Sequence, residues 1–289
     1  MTGAALALVG VAAVLHAGWN ALAKRGLDQV VLLWCSAIVA AVALAPVAAW
    51  ELTITGFPAA AIPFVLATIA LHAVYYYTLG RSYGSGSFSL VYPVARGLGV
   101  ALVPIMALVV FNERLSPLGT LGVVLVVTGV VALHLAPGAL AAGGMPVARR
   151  LGAGTGWAVG TGLVIASYSL VDKAGVSLLH PVPYMMFLEA GCVVTLLPVI
   201  RARRDAVKRE CQRHWREIVL IAVMSSIAYM LVLFAFRLSK TGYVVAAREM
   251  SIVISAVIGS LWLKEGRLAP RLAGASIVLA GVACVALAR

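Results

Sequence analysis

Residues 109–133 read VVFNERLSPLGTLGVVLVVTGVVAL, and residues 260–287 read SLWLKEGRLAPRLAGASIVLAGVACVAL. The two stretches are versions of one another. Glu113 falls on Glu265, and a one-residue insertion then sets Leu115-Ser116-Pro117 on Leu268-Ala269-Pro270. Extended backwards without a gap, the same register puts Arg96 on Arg248. A second register sets WNALAKRG (19–26) on YSLVDKAG (168–175), matching Lys24 to Lys173 and Gly26 to Gly175. The chain therefore divides into two related units, 1–140 and 154–289, joined by a Gly- and Pro-rich linker at 141–153.

Working outward from these stretches, the surroundings are apolar throughout. Of the 289 residues 63% are hydrophobic and only 11% are charged, and mean hydropathy is +1.04. A soluble domain is about half apolar and about a quarter charged, so this chain has too few polar side chains to cover a water-facing surface. A bilayer core about 30 Å thick needs about 20 helical residues to cross it. Ten runs qualify, at 3–23, 30–50, 60–80, 87–111, 118–136, 154–172, 181–200, 217–237, 242–263 and 269–288. They lack the two-residue alternation of barrel strands, and the first reads as a retained helix rather than a signal peptide. The expected fold is an all-α membrane protein with ten transmembrane helices. Five helices per unit give the units opposite topology, and inverted repeats place a central cavity at the midplane between them.

The same pass excludes several functions. The connections are too short to hold a catalytic or nucleotide-binding domain, and there is no GxxxxGK[ST], so an ATP-driven pump on this chain alone is excluded. No GxSxG, HExxH or paired-carboxylate cleft is present, and no enzyme is expected. Cys35, Cys192 and Cys284 lie in apolar runs and Cys211 in a basic one, without CxxC spacing, so neither zinc nor a disulfide framework is indicated. No cofactor is expected.

The net charge of +12 is concentrated: seven of the 22 basic residues fall in RARRDAVKRECQRHWR (201–216). Nucleic acid is not the expected partner, because the aromatic and motif context is missing. The stretch reads as a topology-setting cytoplasmic loop touching anionic lipid head groups. Connections after odd-numbered runs hold 15 Lys and Arg, against five for the even connections and termini. This bias puts loop 201–216 in the cytoplasm and both termini outside, in a multi-pass protein of the cell inner membrane.

Ten short helices in two halves, with NERLSP (112–117) and KEGRLAP (264–270) after the fourth helix of each and a Gly-rich fifth helix, resemble the EamA family of the drug/metabolite transporter superfamily. The stretch HAGWNALAKRGLD (16–28) is similar to members found beside genes of amino-acid or phosphonate metabolism. The resemblance implies a basket-like bundle whose cavity is lined by helices 1, 3, 4, 6, 8 and 9, with helices 5 and 10 peripheral. It also implies transport of small metabolites, often amino-acid export, without ATP. Characterised relatives usually keep both termini in the cytoplasm, the reverse of what the charge bias gives here.

Ionisable residues at membrane depth usually face the bundle interior and mark function. Ser89, Tyr92, Arg96 and Gly99 share one helical face of the fourth run, beside Pro93, which frees a carbonyl. Arg248, Ser251 and Ser255 share a face of the ninth, with Glu249 one step round. A guanidinium suits carboxylate or phosphonate oxygens. The arginines are therefore either substrate ligands or internal partners of Glu249 and Glu189. His72 and Tyr76 in the third run are candidate cavity residues, as are Trp19 and Asn20 in the first. Tyr168 stands one turn from Asp172 in the sixth, and Tyr229 lies in the eighth. His16, His72, Glu189 and Glu249 are the candidates for carrying a coupling proton. Gly122, Gly129 and Gly274 read as close-packing positions.

The expected function is a secondary transporter, an exporter of small polar metabolites, with amino acids first. The alternatives are an organophosphate or phosphonate carrier, a multidrug or cation exporter, and, outside transport, a lipid scramblase or membrane scaffold. The expected partners are a small-molecule substrate and membrane lipids, in a monomer or homodimer.

Overall fold

The computed structural model of the protein describes residues 1–23, 25–85, 88–135, 153–254 and 268–288, excepting the side chains of 80, 83–85, 88–94, 133–135, 153, 155 and 268–272. Every regular element among them is helical. In order these are α1 (Gly3–Ala23), α2 (Gln29–Thr55), a 3-10 turn (Ala59–Ala61), α3 (Ile62–Ser85), α4 (Phe88–Phe111), α5 (Pro117–Leu135) and α6 (Ala153–Leu178). They continue with α7 (Pro181–Arg201), α8 (Arg204–Arg213), α9 (Trp215–Leu238), α10 (Thr241–Arg248) and α11 (Leu268–Leu287). Five of them (α1, α2, α3, α7 and α9) are long and apolar enough to cross a membrane. A helix satisfies its own backbone groups, which is what hydrocarbon demands. Lys24, the signature around Glu265, and the predicted linker up to residue 152 lie outside the described residues, and Ala153 already belongs to α6.

Local chemistry explains the NERLSP stretch. Asn112 takes a left-handed conformation (φ +53°), which asparagine tolerates better than most residues. The Glu113 amide then returns six residues to the Ala107 carbonyl at 3.2 Å and closes the end of α4. Ser116 caps α5, its hydroxyl accepting from the Gly119 amide at 3.2 Å, and Pro117 supplies the first helical residue. The Glu113 carboxylate serves a different helix. It accepts from the Thr241 amide at 2.7 Å and hydroxyl at 3.2 Å, placing negative charge at the start of α10. Lys173 stands 3.9 Å from Glu113 and donates to the Ser239 carbonyl at 2.9 Å, and Lys240 donates to the Arg114 carbonyl at 2.5 Å. The signature of the first unit thus clasps the α9–α10 connection of the second.

Helices pack mainly on helices of the other unit: α1 on α9, α3 and α4 on α6, α2 on α7, and α5 on α11. The Met1 amino group donates to the Ala288 carbonyl at 2.6 Å, so these two ends lie side by side. The α5–α11 seam is built on glycine. A methyl on Gly281 would stand 2.7 Å from the Gly122 carbonyl oxygen, and one on Gly129 would stand 2.7 Å from the Val278 amide nitrogen. Backbone atoms at that range cannot yield unless the helices part. Gly281→Ala is therefore expected to cost about 1–3 kcal/mol, read as a lowered melting temperature in detergent. Gly156→Ala, where nothing lies within 4 Å, should leave it unchanged.

Two expectations need correction. The basic stretch 201–216 is not only a loop, since it contains α8. Asp205 in its first turn and Arg213 in its last complement the helix dipole. Ala206 and Val207 pack on a cluster that includes Val31, Leu32 and Ile218, while Glu210 is buried. Glu210 accepts from the Asp28 amide at 2.6 Å and pairs with His214 at 2.8 Å, and Asp28 is held by Arg203 at 2.8 Å. The run at 242–263 is likewise not one regular helix as far as it is described. It turns at Glu249, whose amide reaches back only three residues to Ala246 (3.1 Å), and resumes over 250–254.

Candidate functional site

The bundle encloses a cavity of about 650 Å³, counting the space at its open end. His16 and Trp19 of α1 line it, with Leu33, Ser36 and Ala37 of α2, His72, Tyr75 and Tyr76 of α3, and Tyr168 of α6. Met185, Leu188 and Glu189 of α7, Ile221, Ser225 and Tyr229 of α9, and Arg248 at the end of α10 complete it. The wall therefore includes α2 and α7, which are not among the lining helices that the resemblance implies. Among the described residues α4 contributes nothing to it, although it was expected to.

The aromatic side chains support one another. His72 lies against Tyr168 with ring centroids 4.4 Å apart, and Tyr229 meets His72 edge-on at 5.5 Å. Tyr75 touches both Tyr76 and Tyr168 at 5.7 Å. The guanidinium of Arg248 lies over the Tyr229 ring, 5.6 Å from its centroid, a favourable placement for a cation on a π face.

Beneath these rings lies Asp172, fully buried on α6. Its Oδ1 accepts from the Thr68 hydroxyl at 2.5 Å and the Tyr184 hydroxyl at 2.8 Å, and its Oδ2 accepts from the Tyr229 hydroxyl. Thr68 spends its proton on Asp172, so the His72 Nδ1 at 3.0 Å from both the Thr68 hydroxyl and carbonyl acts as donor. One buried carboxylate thus fixes a threonine, two tyrosines and, through the threonine, a histidine. Four of the helices that line the cavity, α3, α6, α7 and α9, are tied at that point.

The two matched arginines differ. Arg96, 6% exposed, donates to Glu249 through Nη2 at 2.7 Å and Nε at 3.4 Å, and Glu249 is itself 2% exposed. It does not line the cavity. Arg248 does, and among the described residues it forms no ion pair. A smaller adjoining space of about 220 Å³ is bordered by His16, Tyr229 and Arg248 together.

The other expected site residues divide in the same way. Tyr76, His72, Trp19, Tyr168, Tyr229, His16 and Glu189 all reach the cavity wall. Asn20 does not, since its amide is spent on the His16 carbonyl at 2.7 Å, while Trp19 donates to the His16 Nδ1 at 3.2 Å. Ser251 is buried away from the cavity, its hydroxyl without a partner among the described residues. Tyr92 lies on α4, but its side chain is outside the described residues. The centrality of Asp172, and the contributions of Thr68 and Tyr184, were not foreseen. Only the one-turn spacing of Tyr168 and Asp172 pointed toward them.

Helices that are the only regular elements among the described residues, several of them long and apolar enough to cross a membrane and grouped around an aromatic-lined cavity, are those of a multi-pass membrane protein. Residues 152–287 match the EamA-like transporter family, part of the drug/metabolite transporter superfamily. Its members are transporters, not enzymes. No curated protein matches the chain. Among solved structures, one described only as the crystal structure of a protein superposes with a TM-score of 0.74 at 15% identity, covering 99% of this chain and 98% of that one. That likeness is one of overall fold.

Proposed function

We propose that the protein is a secondary carrier that exports small polar metabolites, amino acids foremost, by alternating access between two inverted five-helix units (1–140 and 154–289). The observation that carries this reading is Arg248. It is a buried guanidinium open to a cavity with aromatic walls, and among the described residues it forms no ion pair. Such a group is costly at membrane depth and favours an incoming anion.

The inverted repeat is supported by the helix pairings, which come in swapped couples. The α1–α9 contact is matched by α6–α3, α4–α6 by α10–α1, and α3–α7 by α9–α2. The Glu113 clasp and the basic helix α8 lie at opposite ends of α9, which suits a clasp on the outer face and α8 at the cytoplasmic face of the inner membrane. His16 and His72 are the groups through which a coupling proton would pass. Because Arg96 is engaged with Glu249, Arg248 is, among the described residues, the arginine left for the substrate anion. One guanidinium fits a carboxylate better than a phosphonate dianion.

The test is uptake of labelled L-leucine, L-phenylalanine and 2-aminoethylphosphonate into proteoliposomes. Wild type should accumulate an amino acid. Arg248→Gln should reduce that uptake by about tenfold or more, the worth of a charge-assisted contact. Uptake by Arg248→Gln at the wild-type rate refutes the assignment.

A further inference from the structure

Glu189 lies on α7, a helix that the family resemblance did not place in the cavity wall. It is 4% exposed and lines the same cavity as Arg248. The other buried carboxylates of the bundle are satisfied: Asp172 by three hydroxyls, Glu249 by Arg96. Glu189 is different. Among the described residues it has neither a hydrogen-bond donor nor an ion-pair partner, and no bridge joins it to Arg248. Buried carboxylates without donors are unfavourable, and an aqueous site retains one where an incoming group supplies the donors.

Among the described residues the cavity therefore presents one guanidinium without an ion pair and one carboxyl group without a donor, on walls that are mostly aromatic or apolar, with Met185, Leu188 and Ile221 beside the tyrosines. Complementary charge in that arrangement describes a zwitterion with an uncharged body. Resting on the reading of Arg248 as the carboxylate ligand, we infer that Glu189 receives the ammonium group of the substrate and makes the carrier selective for amino acids over carboxylic acids that lack the amine. Arg248 holds the carboxylate, Glu189 accepts from the ammonium N–H groups, and the side chain lies among the rings. A simple organic anion would satisfy Arg248 while leaving Glu189 buried and bare, and a simple amine would do the reverse.

The experiment is competition against labelled L-leucine bound to the full-length protein in detergent. The competitors are L-leucine, 4-methylpentanoate (no amine) and 3-methylbutylamine (no carboxylate), with the phenylalanine series run alongside. In wild type each truncated analogue should compete about tenfold or more weakly than the amino acid. In Glu189→Gln the penalty for lacking the amine should vanish while the penalty for lacking the carboxylate persists, and Arg248→Gln should show the opposite pattern. A Glu189→Gln protein that still discriminates fully against 4-methylpentanoate overturns the role of Glu189 while leaving that of Arg248 intact. Wild type that binds neither amino acid overturns the underlying reading as well. A second measurement needs no variant: carbodiimide labelling of Glu189, followed by peptide mass spectrometry. L-leucine should protect Glu189 and 4-methylpentanoate should not; equal protection by both overturns the proposal.

Discussion

Replacing Glu249 by alanine is expected to destabilise the folded protein by roughly 3–5 kcal/mol, enough to abolish most of the yield of folded material. The reason is what the substitution leaves behind. Arg96 is almost wholly buried on α4, and Glu249 receives two of its donors. Without the carboxylate, a guanidinium remains in a low-dielectric interior with two donors to satisfy. Thermal denaturation in detergent, with size-exclusion behaviour as a second readout, measures the loss. A double variant separates the pair from the stranded charge. Arg96→Met with Glu249→Leu should recover most of the stability, because removing both charges removes the desolvation cost together with the attraction. If the double variant is as unstable as Glu249→Ala, the pair is not what sets the stability of this region.

The second large effect is expected at Asp172. Asp172→Ala strands the hydroxyls of Thr68, Tyr184 and Tyr229 on three different helices, at about 1–3 kcal/mol for each buried donor left without an acceptor. Asp172→Asn should cost far less, because its carbonyl oxygen still accepts from Thr68 and Tyr184 and the Tyr229 hydroxyl can turn to accept from the amide. Melting temperatures should therefore rank wild type, then Asn, then Ala. Leucine binding should follow the same order, since Tyr229 is the ring on which Arg248 rests. Equal melting temperatures for the Asn and Ala variants would mean that the hydroxyl network is not what Asp172 supplies.

Much of this architecture was legible because it rests on features that a single strand of text carries. Apolar run length located the helices, five of which are long and apolar enough to cross a membrane. The capping residues Asn112, Ser116 and Pro117 act within a few positions of themselves. Asp172 is the opposite case: its three partners come from α3, α7 and α9, up to 104 residues away in the chain, and no local pattern marks them. The alignment of Arg96 with Arg248 was real as sequence, yet the two side chains have different tasks. The repeat fixes backbone position, whereas the neighbours within reach decide whether a charge is spent internally. Glu249 follows Arg248 directly, but it faces Arg96. Helix α8 was missed because its period is carried by charge, with only Ala206, Val207 and buried Glu210 on the inner side.

The interlocking of the two halves also bears on the order in which the protein is made. Most helices leave the ribosome long before their main neighbour exists: α1 is complete at residue 23, but α9 begins only at residue 215. For α1 the wait is mild, because the face it later buries is small and apolar (Ala5, Val9, Ala12, Ala13) and lipid serves it almost as well as protein. Asp172 has no such substitute. When α6 inserts, Thr68 on α3 is already in place, while Tyr184 and Tyr229 have still to be synthesised. The nascent chain therefore carries a partly solvated carboxylate until α7 and α9 arrive, and α3 is the only earlier helix holding one of its donors. Pairing of α3 with α6 is the step at which the first half stops being a set of separate spans and begins to require the second.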